Sequence, residues 1–307
     1  MQKWRAIAAS LVCFVAASCL SCAEEVAPEE YLHNEPADRF GLITVTYNEH
    51  RIPGGVEPQV LVNAFFARHV ALSHEQVLDI VNHPDTLEPS ISAVPVGQCR
   101  IKTRDLREQA LTHDSAYLDL LDAGDIRIST EEQALALRRR SFPDIFPMVT
   151  GLTYEGILSD TRRLRHGTSL LLEGRGSQEV GDFVVSLKAP SVPRLLEVAS
   201  QPVTGSYSSF DWTTDLEIKW LCLGEAGNVL VELVAIDFDR SVSLQCRLPD
   251  TGVGHITNTA LELMKGRVAP DSTLRLIVRR VARSRFQTPG IHFGEVTYVS
   301  RDSVLLE

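Results

Sequence analysis

The stretch Leu216–Leu248, LEIKWLCLGEAGNVLVELVAIDFDRSVSLQCRL, decides the fold class. In its first third Leu216, Ile218, Trp220 and Cys222 alternate with Glu217, Lys219 and Leu221. In its last third Val242, Leu244, Cys246 and Leu248 alternate with Ser243, Gln245 and Arg247. A period of two places one set of side chains on a buried face and the other on a wet one, the pattern of a β-strand. Val229–Ile236 between them is almost continuously apolar, as a strand near the centre of a sheet should be. Gly224 and Gly227 open the first turn, and Asp237-Phe238-Asp239-Arg240 supplies the second. The expectation is a three-stranded, up-down-up meander.

The same alternation spreads outward. Towards the C-terminus, Thr273–Val281, Phe293–Val299 and Ser303–Leu306 read as strands, and Thr259–Met264 as a short helix. Towards the N-terminus, Phe183–Ala189 and Thr168–Gly174 pair around the glycine-rich turn Arg175–Gly181. Val149–Leu158 precedes them, and Glu131–Arg140 favours helix by propensity but fits a strand by alternation, the reading adopted here. Tyr117–Leu121, Asp122–Asp125 and Ile126–Ile128 read as strand, turn, strand. Val94–Thr103 carries Cys99, whereas Arg104–Ser115 is left as loop or helical turn. Ser73 caps a second short helix that Pro84 ends, with Gln76 three residues on. Gln59–Ala67 and Leu42–Tyr47 flank the turn Pro53-Gly54-Gly55. Short strands at regular spacing, punctuated by Gly, Pro and Asp, predict an all-β antiparallel β-sandwich, Ig-like or related, decorated by one or two short helices. The region 40–307 is read as that body, with a subdomain boundary, if there are two, near 143–160.

Residues 1–22 differ from everything after them. Lys3 and Arg5 precede the apolar run Ala6–Leu20, too short and too rich in small residues for a membrane span, so it reads as an export signal. Ala16-Ala17-Ser18-Cys19 resembles a bacterial lipobox, which makes Cys19 the expected acylation (palmitate) site, with Cys22 the alternative and plain cleavage the bland reading. Residues 23–39 open on AEEVAPEE and read as an acidic, extended tether. The expected location is therefore the cell envelope, held by lipid, with the outer membrane as the expected surface.

Of the remaining cysteines, Cys222 and Cys246 share the apolar parity of the first and third strands of the opening stretch, and a bond between them fits an oxidising compartment. Two buried free thiols are the alternative. Cys99 is expected to be buried and unpaired. The chain resembles uncharacterised exported lipoproteins of myxobacterial type. The matching pieces are the Cys99 strand, LLDAGDIRIS at Leu120–Ser129, LEGRGSQEVGDFVVSLKAP at Leu172–Pro190, LEIKW at Leu216 and VSLQC at Val242. The resemblance covers roughly residues 95–307. It implies a β-sandwich body behind a lipobox, with no established activity and no transferable site residues. Those proteins often carry a second cysteine soon after the first, which this chain lacks.

Chemistry-bearing residues are few. Formal net charge is −10, and the leader holds two of the positive charges, a balance unsuited to nucleic acid. The densest basic spots, Arg138-Arg139-Arg140 and Arg279-Arg280, read as solvated strand edges. Gly174–Gly181 lacks the GxGxxG spacing, the lysine and the following helix of a phosphate loop. No GxSxG occurs, and adjacent His113-Asp114-Ser115 cannot form a triad with one another. His69, His74, Glu75 and His83 lack metal-ligand spacing. Asp211, Asp215, Asp237 and Asp239 are weighed as calcium ligands and read as turn chemistry. Tyr207, Phe210 and Trp212 are a candidate ligand loop able to stack on a sugar, or else a plug closing the end of the sandwich. No cofactor is expected. The favoured expectation is a non-enzymatic structural or interaction module with a membrane contact through lipid and a protein or glycan partner at the surface. A carbohydrate- or peptide-binding module is the alternative, and a secreted hydrolase with a dispersed site the third reading.

Overall fold

The computed structural model describes residues 39–52, 55–70, 77, 94–105, 117–141, 149–158, 166–205, 207–208, 210–223, 227–237, 240–269 and 272–307. All belong to one compact unit, Ala37–Glu307. The leader, the tether, the helix expected from Ser73 (apart from Val77) and the His113–Ser115 segment lie outside the described residues.

The fold is all-β and sandwich-like, built from one large open sheet and two small ones. The large sheet runs β3 (Cys99–Asp105), β16 (Arg240–Pro249), β15 (Asn228–Ile236), β18 (Thr273–Thr288), β19 (Ile291–Leu306), β1 (Arg39–Ile52), β2 (Gly55–Val70), β4 (Tyr117–Leu120), β8 (Val149–Leu158) and β7 (Arg138–Ser141). A short strand, β13 (Tyr207–Ser208), adds to β19. One four-stranded sheet orders β10 (Phe183–Lys188), β9 (Ser169–Gly174), β5 (Ile126–Ser129) and β6 (Ala134–Ala136). The other orders β12 (Gln201–Pro202), β11 (Leu195–Val198), β14 (Leu216–Trp220) and β17 (Val253–Ile256). Helix α1 (Asn258–Lys265) follows, its N-cap Thr257 accepting from the Ala260 amide while Leu261 and Met264 bury its apolar face.

Both small sheets cover the same face of the large one. Side chains of one parity on a strand share a face, and on β18 a single parity carries Phe286 in the first core and Val278 and Leu276 in the second. On β19 the same holds for Val296 and Tyr298, then Val304 and Leu306. The first core packs β1, β2, β8 and these strands against β5, β9 and β10, with Phe183 stacked on Phe286 at 4.7 Å. The second packs β15, β16, β18 and β19 against β11, β14, β17 and α1, around the fully buried Trp220. Burying each such large apolar side chain contributes about 1.5–3 kcal/mol. Across the sheet, a third cluster gathers Phe40, Phe65, Leu118, Leu120 and Val149 with Val77, which is helical and fully buried.

Several expectations need correction. The large sheet is not purely antiparallel, because β1–β19, β4–β8 and β13–β19 pair in parallel. Residues 149–158 stay within that sheet, and the two cores share its long strands. The opening meander is only half present: β15 and β16 form a hairpin, but β14 pairs with β11 and β17. The reason lies in the side chains. β14 has charged Glu217 and Lys219 on its second face, which suits a two-layer outer sheet. β15 is apolar on nearly every position and takes an interior place. Tyr117–Leu120 and Ile126–Ser129 likewise separate, one into each layer, with Leu121 and Ala123 buried at the crossing. There Gly124 adopts φ +72, and a Cβ on it would stand 2.0 Å from the Gly176 carbonyl oxygen. The two glycine turns thus pack backbone to backbone, and the Gly174–Gly181 loop is the turn expected of it.

Candidate functional site: a closed polar seam between two cores

Between the two cores the shared parity of the long strands turns polar. β18 places Arg280 between Val278 and Ala282, and β19 places Ser300 and Asp302 between Tyr298 and Val304. β1 ends its apolar series Ile43, Val45, Tyr47 on Glu49. Arg280 and Tyr47 both stand opposite Ser300 in the ladder, so these groups form one row across three strands. Arg280, Ser300, Asp302 and Glu49 are all buried.

The segment joining β10 to β11 crosses over this row and supplies the second half of the seam. Ser300 donates to the Ser191 carbonyl at 2.8 Å, and the Leu195 amide donates to Asp302 Oδ2 at 2.7 Å. Arg194 grips Glu49 with two bonds, Nη2 to Oε1 at 2.8 Å and Nε to Oε2 at 3.0 Å, the fork geometry that suits guanidinium to carboxylate. Arg280 uses all five of its N–H donors. They go to both carboxylate oxygens of Asp250, to the Ser191 hydroxyl and carbonyl, and to the Leu221 carbonyl. Asp250 also accepts from the Trp220 indole at 2.8 Å, which fixes the largest ring of the second core.

The electrostatics follow from this bonding. Burial alone would raise the Asp250 carboxyl, but the Arg280 and Trp220 hydrogen bonds and the guanidinium charge outweigh it and hold it below the usual carboxylate range. Burial, reinforced by the Glu49 carboxylate, pushes the Tyr47 phenol up to about 12. A carboxyl depressed in the folded state contributes stability that is complete above its unfolded value, near pH 4, and is lost as pH falls through the folded value. The urea midpoint of the wild-type protein should therefore fall steeply below about pH 4. An Asp250→Asn variant should start lower and decline less steeply; parallel curves would contradict the assignment.

On the opposite face a second polar row crosses the strands. Arg279 donates to Glu232, Gln245 donates to Glu232 at 2.8 Å, and Arg100 donates to Gln245 at 3.0 Å. Arg301, which faces Arg279 in the ladder, donates to Asn48. Arg279 and Arg280 are 4% and 3% exposed, so the reading of this pair as solvated is overturned. β18 is an interior strand, and each arginine is buried against its own carboxylate, Arg279 on Glu232 and Arg280 on Asp250. Arg138, Arg139 and Arg140, by contrast, are exposed on the edge strand β7, as expected.

The cysteines also pair differently. Cys246 is bonded to Cys99, its direct register partner on β3, and Cys222 is free, its thiol donating to the Asp250 carbonyl at 3.1 Å. The Cys222–Cys246 pairing fails because Cys246 meets Cys99 directly across the β3–β16 ladder while Cys222 lies past the end of β14, and Cys99 is exposed and bonded instead of buried and unpaired. Cys19 and Cys22 lie outside the described residues.

The candidate ligand loop is partly drawn inward. Phe210 and Trp212 meet edge to face at 4.7 Å, both half-buried against the second core, and the Phe210 amide bonds the Glu307 carbonyl. The Tyr207 backbone pairs with Leu305. Asp211 receives the Thr213 amide and hydroxyl, and Asp215 receives the Asn258 amide at the start of α1. Both are turn and cap acceptors. The Asp237 amide bonds the Arg240 carbonyl, as a tight hairpin turn requires, and Asp239 is outside the described residues. His69 is buried beside the Phe40 ring; His74, Glu75 and His83 are outside the described residues. Among the described residues no group of three or more His, Cys, Asp or Glu is placed to hold a metal ion, and no described helix is long and apolar enough to cross a membrane. A shallow depression lined by Gln287, Thr288, Pro289, Ile291 and His292 sits at the β18–β19 turn.

Sequence reasoning missed the seam, although a signal was present. Leu276, Val278, Arg280 and Ala282 form one i, i+2 series, as do Tyr298, Ser300, Asp302 and Val304. A charge inside an otherwise apolar parity must be paired when the face is buried.

No known family matches the chain, and no curated protein sequence matches it. Among solved structures it is similar to the yeast delta-COP-I mu-homology domain at a TM-score of 0.22 and 9% identity, covering 89% of this chain and 99% of that one. The same domain complexed with a Dsl1 WxWxV peptide gives a TM-score of 0.21 and 10% identity, covering 89% and 97%.

Proposed function

We propose that this protein is a non-catalytic, envelope-anchored β-sandwich lipoprotein that acts as a structural or interaction module. A leader within residues 1–22 directs its export, and lipid on Cys19, or alternatively Cys22, attaches it to the outer membrane. The observation that carries the reading is the Cys99–Cys246 bond. Disulfides persist in oxidising compartments outside the cytosol, which is where a leader of this composition sends a chain. The resemblance to exported lipoproteins of myxobacterial type points the same way.

The seam supports the non-catalytic half of the reading. Its buried charges are bonded to one another and to backbone carbonyls and amides, the arrangement of a clamp joining two cores. Contacts to a protein or glycan partner at the surface fall to loops and sheet edges. In the native host, a Cys19→Ser variant should lose incorporated labelled palmitate and move from the membrane fraction to the soluble one. Full retention of label and membrane attachment by both Cys19→Ser and Cys22→Ser would contradict the lipid anchor.

A further inference from the structure

We propose that the Cys99–Cys246 disulfide is a redox latch on the edge strand β3, whose reduction releases that strand while both cores stay folded. Three observations carry this. First, among the described residues β3 pairs with β16 alone, at the end of the large sheet. β16 is held independently by its long ladder to β15. Secondly, β3 contributes little to the cores. Of its side chains from Cys99 to Thr103 none is buried, and only Ile101 packs, half-buried, on the second core. Segments with so little buried apolar contact lie at the low end of local stability. Thirdly, the bond is open on one side: Cys99 is exposed, whereas Cys246 is fully buried.

Besides the antiparallel ladder that pairs Cys99–Asp105 with Arg240–Cys246, a few contacts fasten the strand near the disulfide. Arg100 donates to Gln245, the Gly97 amide to the Arg247 carbonyl, and the Arg247 amide to the Gln98 carbonyl. Each is worth about 1 kcal/mol net, and the disulfide is the one covalent tie at the Cys99 end of that ladder.

The chemistry needs a dithiol reductant. One of its thiolates attacks the Cys99 sulfur, the Cys99–Cys246 bond breaks, and Cys246 leaves as a thiolate that takes up a proton. The second thiolate of the reductant then displaces Cys99, also protonated, and the reductant departs as its own disulfide. Two electrons and two protons pass to the protein. With β3 gone, β16 becomes the edge of the sheet, with backbone donors and acceptors open along Val242–Cys246.

The test is hydrogen exchange by mass spectrometry on the full chain, with and without dithiothreitol, alongside a Cys99→Ser variant without reductant. Reduction and the variant should both speed exchange of the β3 amides that bond β16 by at least about tenfold. Peptides covering Leu216–Trp220 in β14 and Val60–Phe66 in β2 should be unchanged. Iodoacetamide should then label Cys246 without denaturant. Unchanged β3 protection after confirmed reduction, or faster exchange throughout both cores, would overturn the latch.

Discussion

Replacing Arg280 with methionine should lower the unfolding free energy by about 3–5 kcal/mol, the cost of breaking a buried ion pair by removing one partner. Most of that cost comes from what remains. Asp250 keeps its charge and its burial but loses both guanidinium bonds, retaining from its described side-chain donors the Trp220 indole. The Ser191 and Leu221 carbonyls lose their described side-chain donor from β18 as well. Methionine fills most of the volume, so a cavity contributes little. Adding Asp250→Asn removes the stranded charge, and the double variant should recover a large part of the loss. Partners in one network are not additive. Urea unfolding of the two single variants and the double measures this; a loss below about 1 kcal/mol for Arg280→Met would place the pair among exposed bridges.

Removing the disulfide by Cys99→Ser with Cys246→Ala should lower the unfolding free energy by up to about 5 kcal/mol on the chain-entropy model. The size follows from the sequence separation of 147 residues. A crosslink so distant in sequence excludes many conformations from the unfolded chain, and cutting it returns them. Because β3 sets only the half-buried Ile101 against the second core among its described side chains, the native far-ultraviolet spectrum in water should persist while the denaturant midpoint falls. A midpoint shift no larger than that of a surface substitution would show that the unfolded chain does not feel the crosslink. The Cys222→Ser variant is the control: with its bond to the Asp250 carbonyl kept by the hydroxyl, it should change little.

The strands were legible because alternation is a local property. β9 and β10 pair around their glycine turn as read, and α1 forms where Thr257 caps it. The segment read as one strand over Glu131–Arg140 is extended despite its helical propensity but breaks at Leu137 into β6 and β7, which join different sheets. Assignment of strands to sheets was less legible, since it depends on which layer a strand joins. Leu216–Trp220 and Val229–Ile236 are neighbours in sequence and still belong to different sheets. The cysteine pairing failed for the same reason, because Cys99 meets Cys246 only through a ladder between distant segments. The seam fell between these cases. The parity of Arg280 and Asp302 was readable, but their partners come from the β10–β11 connection and from Asp250, which no local pattern links to them.

The most direct test of the account is a non-reducing peptide mass map of the protein extracted from native-host membranes. The account predicts an N-terminal peptide beginning at an acylated Cys19, a linked peptide pair joining Cys99 to Cys246, and Cys222 as a free thiol. An unacylated N-terminus would contradict the anchored-lipoprotein reading, and a Cys222–Cys246 link would contradict the β3–β16 register that brings Cys99 to Cys246.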